Sequence, residues 1–296
     1  TSLQNHILMS KKTLVCIHIM PNEIQIFQKF MAQYRKALMY CNDFNIYIKA
    51  TLNLNPKLTD WDKSELKQDY FIKIFNEQFQ YKDITNINQI ILDDSMWGTT
   101  QQKRESIKID YFDQFIFVDT DIVLHEHQLM YQLRASEQLE GKYILSPAIP
   151  KWWDMSWDVL VDNSMRDTEF NTKETLDSVH KQQPSKLTLR QIPTIKFGCG
   201  MHTLYSKEFW QFIGIPESFG GYGPEDTFGM MASIGAIKKG YDLKQYVLDG
   251  IYISEDYFNR EPSIKGKIVK SDLKTDFYKQ AQSHIPTELH TFIGKI

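Results

Sequence analysis

Two short acidic motifs carry most of the chemistry this sequence offers. The apolar run Phe115-Ile116-Phe117-Val118 leads directly into Asp119-Thr120-Asp121. In open α/β sheets, ligands gather beyond the carboxyl ends of strands. Two carboxylates two positions apart at such an end are hard oxygen donors suited to a divalent ion and the oxygens of a diphosphate. The second motif is Phe219-Gly220-Gly221-Tyr222-Gly223-Pro224-Glu225-Asp226. Its closely spaced glycines let backbone approach a ligand. Its acidic pair opens a predicted helix, where free N–H groups favour carboxylates.

Around these motifs the hydrophobic pattern predicts alternating strands and helices, an α/β chain. Thr13–Met20 (TLVCIHIM) is the short apolar run of a buried parallel strand. Ile24, Phe27, Phe30, Met31, Tyr34 and Leu38 then recur at helical spacing, and Phe44–Ile48 reads as a second strand. After a polar loop, Leu66, Tyr70, Phe71, Ile74 and Phe75 predict another helix, and Gln89–Leu92 a strand ending in Asp93-Asp94-Ser95. Gln101–Asp113 reads as a polar helix carrying Lys103 and Arg104. His127–Leu139 reads as a helix, with Tyr143–Leu145 as the next strand. From about residue 147 the chain turns to prolines, tryptophans and a polar stretch reaching Lys186, the pattern of a long excursion over one face. Regular structure resumes near Leu187–Leu189. Phe197-Gly198-Cys199-Gly200, Met201–Tyr205 and a short helix capped by Ser206 follow. The helix after the glycine-rich turn reaches Lys239. Tyr246–Leu248 and Ile251–Ile253 flank Asp249-Gly250, a hairpin signal.

Composition limits the partners. Lys and Arg number 34 against 37 Asp and Glu, a net charge of −3, which argues against nucleic acid as a partner and leaves room for a local basic pocket. Cys16, Cys41 and Cys199 are scattered and odd in number, neither a disulfide framework nor a metal pair, as in a reducing compartment. No apolar run is long enough to span a bilayer, and no basic-then-apolar leader precedes Thr1. The expectation is therefore a cytoplasmic chain without a transmembrane segment. Contact with a membrane periphery, or an anchor outside this sequence, stays compatible with that. Aromatic residues are abundant at 13%. Part of that excess sits at Trp97, Trp152, Trp153, Trp157 and Tyr222, near the acidic motifs or between them, where rings could stack on sugar faces or fasten the excursion to the sheet.

The two motifs, in this order and separation, resemble the GT-A glycosyltransferases. The likeness is greatest to inverting members with a DxD and a later G-x-G-x-E-D segment, such as the β-1,4-galactosyltransferases and chondroitin-polymerase-type domains. It covers most of the chain, from Thr13 to near Ile253. It implies a Rossmann-like fold with a mostly parallel central sheet. It also implies a single domain over residues 1–296, with a nucleotide-sugar-binding half at 11–146, an acceptor-binding and catalytic half at 147–258 and an extension at 259–296. The implied substrates are a nucleotide-diphospho-sugar, with a UDP-sugar as the expected donor, and a carbohydrate or glycoconjugate acceptor. The implied metal is Mn²⁺ or Mg²⁺, held by Asp119 and Asp121.

The resemblance also assigns residues. His18 would lie near the base and ribose, Asp93 and Asp94 would hold the uracil or ribose, and Lys103 and Arg104 would sit near the diphosphate. Gly198 belongs to a small-residue strand before the acceptor loop. By residue chemistry rather than by the resemblance, Trp97, Gly221 and Tyr222 are expected at the donor site, and Trp153 on an acceptor or donor-sugar platform. Asp226 would be the catalytic base and Glu225 would bind an acceptor hydroxyl. The third metal ligand departs from the pattern. Family members commonly supply a histidine after the acidic pair, but no histidine occurs between His202 and His284, and Glu255 and Asp256 occupy the place. Glu255 is the expected substitute. His125 and His127 are expected at the surface, not as ligands.

Three alternatives stay open. A retaining GT-A enzyme fits the same residues. Asp119-Thr120-Asp121-Ile122-Val123 also partly matches the first motif of the haloacid dehalogenase-like phosphatases, in which Asp119 would attack a phosphate. That family places the motif on its first strand, whereas here a β-α-β unit and a further strand come first. A noncatalytic sugar-binding protein is the third, and would need neither the metal pair nor Asp226.

Overall fold

The first strand, β1 (Lys12–Ile19), sets the plan of the molecule. Its side chains alternate between two cores: Val15, Ile17 and Ile19 enter one, Leu14 and Cys16 the other. A strand buried on both faces must be covered by helices on both sides. This is what the computed structural model shows over the residues it describes: 10–56, 61–80, 87–94, 96–150, 160–165, 179–184, 186–193, 201–219 and 225–256.

Helix α1 (Ile24–Met39) follows β1, and β2 (Asn45–Leu52) returns parallel to it. Helix α2 (Gln68–Glu77) leads to β3 (Ile87–Asp93), and α3 (Thr99–Ile107) to β4 (Gln114–Val118). A two-residue strand β5 (Ile122–Val123) precedes α4 (Gln128–Ser136) and β6 (Lys142–Ala148). The second half supplies β7 (Thr188–Ile192), β8 (Thr203–Ser206), α5 (Lys207–Ile213), α6 (Glu225–Lys238), β9 (Leu243–Tyr252) and β10 (Ser254–Glu255). Eight strands form one sheet in the order β3-β2-β1-β4-β8-β6-β9-β7, while β5 and β10 form a separate small ladder.

Phe27, Phe30, Met31 and Tyr34 of α1, Phe71 and Phe75 of α2, and Leu129 and Leu133 of α4 fill one core. Ile107 of α3, Phe209 and Trp210 of α5, and Phe228 and Met231 of α6 fill the other, on the face reached by Cys16, Phe115 and Phe117. The result is an open α/β sheet flanked by helices on both faces.

The eight-stranded sheet is mixed: six strands run the same way, and β7 and β8 run against them. Strand β8 runs antiparallel to both β4 and β6, and β7 runs antiparallel to β9. Strands buried on both faces read alike in either direction, so hydrophobic pattern alone does not give polarity. Helix α5 begins where the sequence placed it: the Ser206 hydroxyl accepts from the Phe209 N–H, an N-cap.

The expected hairpin at Asp249-Gly250 does not form. Strand β9 runs straight through both residues, paired with β6 on one side and β7 on the other. The register slips between Pro147 and Ala148 of β6, so the glycine serves a bulge. Gly250 has φ +97°, and its N–H donates to the Asp162 carboxylate at 2.6 Å. A Cβ there would lie 2.9 Å from the Lys186 carbonyl oxygen. Gly250→Ala is accordingly expected to destabilise the fold by more than about 1 kcal/mol, read as a lowered thermal midpoint.

Candidate active site

The candidate site lies at the carboxyl ends of β1 and β4, on the face covered by α3. Phe117 and Cys16 point to that face, and His18, two residues beyond Cys16, shares it. Asp119 follows β4 directly. Asp121 stands next to β5, whose Ile122 pairs with Glu255 of β10, and the Asp256 N–H donates to the Asp121 carbonyl at 2.6 Å. The small ladder therefore brings Glu255 toward the Asp119–Asp121 turn.

Helix α3 then joins the two acidic motifs. Lys103 Nζ lies 2.6 Å from Glu225 Oε1, with both side chains only 6% exposed, and 3.6 Å from Asp226 Oδ1. Thr100, one turn earlier on the same helix face, donates its hydroxyl to Glu225 Oε2 at 2.8 Å. Both oxygens of Glu225 are thus engaged by α3, so this residue faces the helix. Asp226 is about one-third exposed. The Lys103 ammonium also lies 5.3 Å from the centre of the Phe117 ring, a cation–π contact on the sheet side.

Electrostatics follow from crowding several carboxylates around one cation. Burial would lower the Lys103 pKa, but Asp226, Glu225 and Asp119 overcome it and hold the ammonium well above its ordinary value. Asp119 is open to solvent at the rim, yet enclosure by protein on its other sides raises its pKa to about 6; Lys103 opposes the shift, and Asp121, Glu255 and Glu225 reinforce it. Asp226 rises further, to about 7, for the same leading reason, with Lys103 pulling down and Glu225 and Asp119 pushing up. Burial, together with the Lys103 and Lys49 charges, keeps the His18 ring neutral, well below its ordinary pKa.

These shifts make a stability prediction. A carboxyl group whose folded pKa exceeds its unfolded value destabilises the fold as pH rises from the unfolded toward the folded pKa. For Asp226 that window runs from about 4 to about 7. His18 and His202, whose folded pKa values are lowered, act in the opposite sense at the acid end. The effect is therefore isolated by difference: the thermal midpoint of Asp226→Asn relative to wild type is expected to climb from pH 4 to pH 7 and then level off.

The other expected positions divide three ways. The Asp93 carboxylate accepts from Gln102 Nε2 at 3.1 Å, fixing the end of β3 to α3, while Asp94 and Trp97 stand exposed beside it. Arg104 is buried and donates to the Pro216 carbonyl at 3.0 Å, so its guanidinium braces the turn that precedes Phe219. Trp152, Trp153, Trp157, Gly198, Gly221 and Tyr222 lie outside the described residues. His125, expected at the surface, is buried at 7% exposure. Thr100 escaped the sequence reading; its position three residues before Lys103 in a predicted helix was the available signal.

Among the described residues, no group of three or more His, Cys, Asp and Glu side chains is arranged to hold a metal ion. The donor set nevertheless suits a hard cation. Asp119 is crowded by the carboxylates of Asp121, Glu255 and Glu225, and ions such as Mg²⁺ are usually held by one or two carboxylates plus substrate phosphates. Among the same residues, no helix is long and apolar enough to cross a membrane.

No protein-family profile matches the chain, and no curated protein matches it significantly by sequence. Among solved structures, S. aureus TarS aligns over 82% of this chain and 36% of its own, at 11% identity and a TM-score of 0.44. The structure of S. aureus TarS 1-349 aligns over 80% of this chain and 60% of its own, at 12% identity and a TM-score of 0.42. The chain thus spans less than two thirds of either structure, and the likeness is a distant one of chain path.

Proposed function

We propose that this chain is a metal-dependent glycosyltransferase of the GT-A type, moving a sugar from a nucleotide-diphosphate donor to an acceptor hydroxyl with inversion. The observation that carries the reading is the meeting of two motifs far apart in sequence. Lys103 ion-pairs with Glu225 and Asp226, and its charge also acts on Asp119 at the carboxyl end of the sheet.

In this reading Asp226 is the base. Its side chain is partly open, and a pKa near 7 suits proton removal at neutral pH. It takes the proton of the attacking hydroxyl as the sugar C1–O bond to the diphosphate breaks, with base and leaving group on opposite faces of the sugar. Asp119 and Asp121, with Glu255 beside them, would hold Mn²⁺ or Mg²⁺, whose charge offsets that growing on the departing diphosphate. Glu225 anchors the start of α6 through its bonds to α3, which fixes where Asp226 points. A UDP-sugar is the proposed donor and a carbohydrate or glycoconjugate the proposed acceptor. The donor half is residues 11–146 and the acceptor half 147–258 of one domain.

The test is a panel of nucleotide-sugars incubated with the protein and Mn²⁺, with release of the nucleoside diphosphate measured. Turnover of one donor that stops with chelator and with Asp119→Asn is expected. Release of inorganic phosphate from phosphomonoesters, with every nucleotide-sugar left intact, would replace this reading by a phosphatase using Asp119 as nucleophile.

A further inference from the structure

Among the described residues, Lys103 is the one side chain that touches both members of the acidic pair, and its surroundings are unusual for a residue meant to grip a ligand. Its side chain is 6% exposed, and its ammonium lies 2.6 Å from Glu225 and 3.6 Å from Asp226. A buried lysine already committed to two carboxylates has little left to offer a diphosphate. A buried pair of this kind is costly to break from one side, because the remaining charge is left without compensation. Thr100 completes the arrangement by taking the second oxygen of Glu225. Together they pin the first turn of α6 to α3.

We infer that Lys103 is the positioning residue of the acidic pair, holding Glu225 as an anchor and Asp226 at the orientation in which it meets the acceptor, and that it is not a contact to the donor diphosphate. The inference rests on the transferase reading for its consequence in catalysis, but the contact itself is testable without a substrate. The charged groups facing Asp226 are Lys103 from α3, Glu225 beside it and Asp119 from the end of β4. Among the described residues, the small cavity it shares with Ile144, Tyr205, Phe209, Trp210, Gly229 and Met230 brings no further charge. Lys103 is therefore the cation, among the described residues, that acts on Asp226.

Carbon-detected NMR titration of the Asp226 carboxyl, assigned by its loss in Asp226→Asn, reads this directly. In Lys103→Met the Asp226 midpoint is expected to move up by at least one pH unit. The pH at which kcat reaches half its maximum should move with it, and kcat should fall at least tenfold, while UDP binding in Mn²⁺ stays within threefold of wild type. Lys103→Arg should return the midpoint toward wild type. If Lys103→Met does not fold, the double variant Lys103→Met/Glu225→Gln removes both charges of the pair. The Asp226 midpoint there should lie above that of Glu225→Gln alone, because the two variants differ only by the Lys103 charge 3.6 Å away. An unmoved midpoint overturns the inference, as does a tenfold loss of UDP affinity with kcat intact. If wild type turns over no nucleotide-sugar, the transferase reading fails separately, and the midpoint still decides whether Lys103 holds Asp226.

Discussion

Replacing Asp226 with asparagine is expected to lower the transfer rate by about a thousandfold or more, the range for loss of a general base, while donor binding changes little. A thousandfold corresponds to about 4 kcal/mol of barrier. The asymmetry follows from geometry. Asp226 sits at the start of α6 with one oxygen near Lys103 and about a third of its side chain open, whereas the Asp119–Asp121 turn that would meet the diphosphate belongs to another element. Asparagine keeps the shape and loses only the ability to accept a proton. Wild-type kcat is expected to rise with pH around 7 and to lose that rise in the variant, measured as initial rates from pH 5 to 9 with a single donor. Substantial transfer by the variant would remove Asp226 from the role of base.

The second large effect is expected from Asp119→Asn. Asp119 is central to the acidic cluster, since its carboxyl interacts with Asp121, Glu255, Glu225 and Lys103. With one charged donor gone from the set of Asp119, Asp121 and Glu255, the affinity for UDP in Mn²⁺ is expected to fall at least a hundredfold, a loss of about 3 kcal/mol. Chelator should bring wild type to the same weak affinity and should not change the variant further. Thermal stability is expected to hold or rise at neutral pH without metal, because the substitution removes one of several repelling carboxylates. The affinity is read by calorimetry. An equal loss of affinity in chelator and in Mn²⁺ would mean that Asp119 contacts the nucleotide without a metal.

Much of this site was legible in the sequence because it is built from local signals. A four-residue apolar run before Asp119, and glycines before Glu225-Asp226, mark a strand end and a helix start whatever the rest of the chain does. The periodicity of Phe27, Phe30, Met31 and Tyr34 gave α1 for the same reason. What escaped depends on partners distant in sequence. The antiparallel direction of β8 is set by its neighbours β4 and β6. Asp249-Gly250 carries a turn signal, but β6 and β7 flank the strand and leave only a bulge. Lys103 and Arg104 read as candidate diphosphate contacts. The structure instead buries them, Lys103 against the acidic pair and Arg104 under Pro216, and no spacing in a single helix encodes that. The β5–β10 ladder that brings Glu255 beside Asp121 is too short to register as a hydrophobic pattern.

The central claim is that the carboxylates at the end of β4 receive a nucleotide-sugar through a divalent ion. Calorimetric titration of wild type with UDP-sugars and other nucleotide-diphospho-sugars, in Mn²⁺ and again in chelator, tests it most directly. Saturable binding of at least one donor in Mn²⁺, lost in chelator and lost in Asp119→Asn, is the result this account predicts. Absence of binding by every donor in Mn²⁺, from protein shown to be folded, would contradict it.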